Sequence, residues 1–179
     1  MLRLATLILL LCLQPSPESA AAQDPRLTAR LDSVTLPRVE ALLTTARRRG
    51  LPDEPLVQKA LEGASKGAPG PRIVTAVEAM LSDLTRAKQG LGKDAGADEL
   101  VAGAAALRAG ATLEMVDQLR RTEPDGGVAV PLAVFADLVA GGMTVHAAWQ
   151  SVEQLAQRGG DEEEFLELRE RLRPASPSP

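Results

Sequence analysis

Tyrosine is absent from this chain, and its aromatic residues are Phe135, Trp149 and Phe165 alone. Sites for single-stranded nucleic acid depend on aromatic stacking surfaces, and many protein-interface hot spots are built on aromatic anchors. Very few of either can be assembled here, and the aromatic platforms usual in exported sugar hydrolases are missing too. Histidine and cysteine are as scarce, with His146 and Cys12 the single examples. A zinc site would have to rely on carboxylates, which suit zinc poorly. Thr144 and Ser151 lie near His146 in sequence but belong to no nucleophile motif. The expectation is therefore no metal and no cofactor. The formal net charge of -4 and the isoelectric point near 5.1 give no electrostatic reason to expect nucleic acid or an anionic membrane surface as partner.

Long apolar runs are also lacking, with one exception at the start. Arg3 supplies a positive charge, Leu4 to Leu13 is apolar except for Thr6 and Cys12, and Pro15 and Pro17 end any helix. Ala20-Ala21-Ala22 then offers a small-x-small cleavage site before Gln23. That is the layout of a secretory signal peptide. The run is about half the roughly 20 residues that span a bilayer, so no stable transmembrane segment is expected. Residues 1–22 are read as the signal peptide, 23–173 as one helical domain, and 174–179 (PASPSP) as a disordered tail. The protein is expected to be secreted or periplasmic after cleavage near Ala22, with no disulfide framework once Cys12 has left. A lipidated Cys12 would anchor the chain to a membrane, but it calls for small residues just upstream, where Leu9-Leu10-Leu11 stand.

What the chain does have is helical spacing almost throughout. Leu36, Val39, Leu42 and Leu43 follow the 3.6-residue period, and that helix ends at Arg47-Arg48-Arg49-Gly50, where cations meet the negative end of the dipole. A second helix is marked by Leu56, Val57, Ala60, Leu61 and Ala64, and a third, longer one by Ile73 to Leu84, fading at Gly90-Leu91-Gly92. Further helices are predicted over Asp98–Ala109, Thr112–Arg121, Val130–Ala140, Thr144–Gln157 and Asp161–Arg173, after a polar entry at Gln23–Arg26. No stretch alternates with period 2. The fold class is thus all-α, a compact array of about eight short helices. Leu61, Ile73, Val77, Leu81, Leu107, Val116, Leu138 and Leu155 are its expected core.

A weak repeat organises the array. Gly50-Leu51-Pro52, Gly67-Ala68-Pro69, Gly110-Ala111-Thr112 and Gly142-Met143-Thr144 each place a glycine, an apolar residue, then Pro or Thr. Glycine takes the positive φ that closes a helix, the apolar residue packs back, and Pro or Thr opens the next helix. The spacing is too irregular for a solenoid of fixed period.

The densest chemistry lies between Leu51 and Ile73. Lys59, Glu62 and Lys66 share a helix face at i,i+3 and i,i+4 spacing, with Arg72 following. Such a strip is either a binding surface for a polar partner or a solvated face. Gly63 with Gly67, and Ala60 with Ala64, permit close helix approach. Asp161 to Glu164 lacks the alternating ligands and turn glycine of a calcium loop and reads as acidic residues on a helix N-terminus. Trp149 shares a face with Val145, Ala148 and Val152, where it either fills the core or marks a groove. The expected function is an exported, non-enzymatic helical protein that binds a protein or cell-envelope component, with Lys59, Glu62, Lys66, Arg72 and Trp149 as its candidate contacts. The alternatives are a hydrolase using scattered carboxylates and a membrane-anchored envelope adaptor held through Cys12 or an uncleaved N-terminus.

Overall fold

The computed structural model describes residues 24–122 and 127–172, and these form nine α-helices and no strand. The expected signal peptide and Pro/Ser tail lie outside the described residues. The helices are α1 (Pro25–Thr28), α2 (Thr35–Arg48), α3 (Glu54–Ser65), α4 (Gly70–Leu91), α5 (Ala97–Ala109), α6 (Leu113–Thr122), α7 (Ala129–Ala140), α8 (Val145–Ala156) and α9 (Glu162–Leu172). Every bounded sequence expectation from α5 onward is met to within one residue at each end. The helix not expected is α1, inside and just beyond the supposed polar entry. Its cause is local: the Asp24 carboxylate accepts a hydrogen bond from the Arg26 N–H, and Pro25 stands in the first turn. Leu27 and Leu31, one helical turn apart, are then buried.

The 22-residue α4 is the longest element, roughly 33 Å at 1.5 Å per residue. Helices α2, α3, α5 and α6 pack on it, α7 packs on α5, and α8 and α9 pack on α7. The buried side chains form one continuous core. Seven of the eight expected core residues are buried, while Leu61 is half-buried. The buried stripe of α3 is Leu56, Val57 and Ala60, and Leu61 sits at its edge. Gly103 shows why α4 and α5 come so close, because a Cβ there would lie 2.9 Å from Leu91 Cδ1 and 3.2 Å from Ala87 Cβ. Gly63 plays the same part between α3 and α4, against Ile73.

The four corners have the expected geometry. Gly50, Gly67, Gly110 and Gly142 have φ of 62, 64, 110 and 101°. In each, the N–H of the next residue donates back across the last turn, as from Leu51 to the Ala46 carbonyl at 2.9 Å and from Ala111 to Ala106 at 2.9 Å. Thr112 and Thr144 open their helices by accepting the N–H groups of Met115 and Ala147, each at 3.2 Å. The corner prolines act differently. Pro52 and Pro69 precede the helix, and Pro55 and Pro71 occupy its first turn. A fifth corner, Gly159-Gly160, uses a second glycine where the others have an apolar residue, since a Cβ on Gly160 would lie 2.5 Å from Leu155 Cδ1.

Candidate functional site

The charged strip on α3 exists, and both of its lysines are bound to its single carboxylate, which leaves one net positive charge. Lys59 Nζ donates to Glu62 Oε2 at 2.6 Å and Lys66 Nζ to Glu62 Oε1 at 2.5 Å. The two ammonium groups, Lys59 first, hold the Glu62 carboxyl at about 2, well below the ordinary 4.5. Arg72 is exposed in the first turn of α4 and shares no hydrogen bond or ion pair with these three. Trp149 lies in the core at 8% exposure, its ring edge-on to Phe135 at 6.2 Å and 78°. It therefore stiffens the α7–α8 contact, and its ring offers a partner almost no surface.

The nucleophile candidates are occupied locally. The Ser151 hydroxyl donates to the Ala147 carbonyl at 3.0 Å, Thr144 caps α8, and His146 points from the exposed side of its first turn. At α9, Asp161 and Glu164 form a reciprocal cap, with the Glu164 N–H donating to Asp161 Oδ1 at 2.9 Å and the Asp161 N–H to Glu164 Oε2 at 3.1 Å. Glu99 is drawn into a junction of three helices, accepting from Arg120 at 2.7 Å, from the Gly96 N–H at 2.9 Å and from the Val128 N–H at 3.4 Å. Among the described residues no group of three or more His, Cys, Asp and Glu is placed to hold a metal ion, and no helix is long and apolar enough to cross a membrane.

A concave surface does form where α2 passes over α4. It is a shallow, open depression of about 330 Å³, lined by Leu42 and Arg49 from the α2 side and by Glu78, Leu81, Ser82, Thr85, Arg86 and Gln89 from α4. The α4 residues are four apart in two ridges, Glu78-Ser82-Arg86 and Leu81-Thr85-Gln89, the rows a helix presents to a neighbour. Leu81, nearly buried, forms the floor. Arg49 follows the last turn of α2, and its guanidinium reaches Thr85 Oγ1 at 3.5 Å. The carbonyls of Arg49 and Gly50 are taken by Lys88 Nζ at 2.9 and 3.1 Å, which adds a third cation at this end. Neither Arg49 nor Arg86 belongs to an ion pair among the described residues. Glu78 is the one carboxylate of the lining.

No sequence signal singled out this groove, because Arg49 and Arg86 stand 37 positions apart on different helices. The chain's charge is nonetheless divided along its length. Residues 24–92 carry eleven Lys and Arg against eight Asp and Glu, and residues 127–172 carry three against eight. Comparison with known proteins gives no matching family model, no matching curated protein and no matching solved structure. The class defined by the described residues is an all-α array with a cationic inter-helix groove.

Proposed function

We propose that the protein is an exported, non-enzymatic helical protein that works by binding another protein, and that the partner presents acidic side chains to the α2–α4 groove. The observation that carries this reading is the pair of unpaired arginines, Arg49 and Arg86, on a concave surface with an apolar floor. Arg49 alone has a local explanation, since a cation at a helix C-terminus complements the dipole. Arg86 does not, standing ahead of the last turn of α4, where the neighbouring carboxylate, Asp83, is taken by Arg108. A planar guanidinium left without a partner is suited to bidentate capture of a carboxylate. Export rests on the leader-like first 22 residues, and the non-enzymatic reading on Thr144, Ser151, Glu99, Asp161 and Glu164 being held in caps and junctions.

The test is co-purification from the envelope fraction of the native host, with wild-type protein, Arg49→Glu/Arg86→Glu and Lys59→Glu/Lys66→Glu side by side. The groove variant is expected to lose its partner, and the α3 variant to keep it. Capture should weaken as salt rises, because exposed charges are screened within about 10 Å at 0.1 M. Equal capture by the groove variant and the wild type refutes the assignment of the groove.

A further inference from the structure

We infer that the groove accepts helix α9 of a second copy of this chain, an inference that rests on the groove being the binding surface. Helix α9 packs on α7 through Phe165 and Leu168, which leaves its outer face uncovered by the other described helices. On that face Glu163, Glu167 and Arg171 form one four-spaced ridge, and Glu162, Leu166 and Glu170 form the next. Leu166 is 42% exposed and, with Val34 and Val101, is one of three large apolar side chains exposed among the described residues. Glu163, Glu167 and Arg171 have no ion pair among the described residues, whereas Glu170 lies 3.2 Å from Arg169.

The two ridges match in register. Glu78 and Arg86 are eight residues apart on α4, and Glu163 and Arg171 are eight apart on α9. Eight residues of helix span roughly 12 Å in both. Laid antiparallel, Glu163 meets Arg86, Arg171 meets Glu78, and Glu167 falls opposite the Ser82 hydroxyl, a donor. Glu162 comes level with Arg49, and Leu166 faces the floor made by Leu42 and Leu81. Parallel placement would set Glu163 on Glu78 and Arg171 on Arg86, so the charges choose the direction as well as the partner. Arg49, Arg86 and Lys88 meet the most acidic helix of the chain. Reciprocal exchange between two copies closes as a two-fold dimer, and one-way exchange propagates as a chain of copies.

The test is sedimentation of the protein as purified from its native host over a concentration series, at about 20 mM and about 500 mM salt. Wild-type protein is expected to self-associate at low salt and to dissociate at high salt. Arg49→Glu/Arg86→Glu and Glu163→Lys/Glu167→Lys should each weaken association about tenfold or more, with circular dichroism and melting temperature confirming that both remain folded. Mixing the two variants leaves opposite charges at both contacts, one the wild-type pairing and the other its reversal, and should bring association back. A monomeric wild type at low salt, or variants that do not recover on mixing, overturns the inference. If wild-type protein is monomeric yet the groove variant still loses its envelope partner, self-docking is refuted while the groove keeps its proposed role.

Discussion

Replacing Gly110 by alanine separates two costs that the corner geometry imposes together. Gly110 has φ 110°, a conformation disfavoured for residues with a Cβ, and the added methyl would lie 2.9 Å from Val145 Cγ2. Gly142 has a similar φ of 101° but nothing within 4 Å of the same position. The left-handed backbone costs roughly 1–2 kcal/mol for an L-residue. Alanine recovers part of that, about 0.4–1 kcal/mol, by stiffening the unfolded chain. Gly142→Ala should therefore destabilise by about 1 kcal/mol. Gly110→Ala adds the displacement of Val145, whose departure from its preferred rotamer is worth about 0.5–1.5 kcal/mol, and should cost about 2 kcal/mol. At about 3 °C per kcal/mol for a domain of this size, the melting temperatures fall by about 3 and 6 °C. Scanning calorimetry on both variants checks this. In a Val145→Ala background the excess cost at Gly110 should vanish, which makes the pair a double-mutant cycle. Equal losses at the two corners would show that Val145 is not the obstacle. No loss at either would remove the positive-φ corner as a determinant of the fold.

Other outcomes follow from the same geometry. Phe135 is fully buried against Trp149, so Phe135→Ala should cost about 3–5 kcal/mol in chemical denaturation, and the single tryptophan should be shielded from acrylamide until the chain unfolds. Glu54 is held at about 2 by the Arg26 guanidinium and then the Gln58 amide, and Glu62 is likewise at about 2. Folded values below the ordinary 4.5 mean stability that is present above that pH and drains away as pH falls from about 4.5 toward 2. Melting temperature against pH should therefore decline across that window, and Glu54→Gln should flatten the decline while lowering the neutral-pH value slightly. Lys59→Glu/Lys66→Glu turns two exposed attractive pairs into repulsive ones, so the neutral-pH melting temperature should fall by a few degrees at most, water screening keeping the loss small, and the share of the acid decline due to Glu62 should disappear. A large loss there would mean the triplet does more than solvate α3.

The fold was largely legible because its determinants are local. Helix ends are written by single residues, as in the Gly50, Gly67, Gly110 and Gly142 corners, and helix faces by 3.6-residue spacing. Helix α1 was the exception. Its apolar signal is one pair, Leu27 and Leu31, too short to register as a period, and it exists because α3 receives it. Arg26 donates to Glu54 at 2.8 Å through both terminal nitrogens, a contact 28 positions away that no local pattern announces.

The groove was illegible for a related reason, and the contrast with α3 is instructive. Charges that stand out in sequence do so because opposite signs recur at i,i+3 and i,i+4, and that spacing is also the one at which they neutralise each other. Lys59, Glu62 and Lys66 are conspicuous and satisfied. A recognition surface needs charges with no partner in their own chain, and such charges break the pattern that draws notice. The one carboxylate three or four residues from Arg86 is Asp83, and it is bound instead to Arg108 of α5 at 2.6 Å. That long-range pair is what leaves Arg86 free. Removing it with Arg108→Ala should release Asp83 to pair with Arg86 at i,i+3, lowering the groove's positive charge without touching a groove residue. Partner capture should then fall in the Arg108→Ala variant and return on adding Asp83→Asn, and capture that ignores both changes would show that the charge of Arg86 is not what the partner reads.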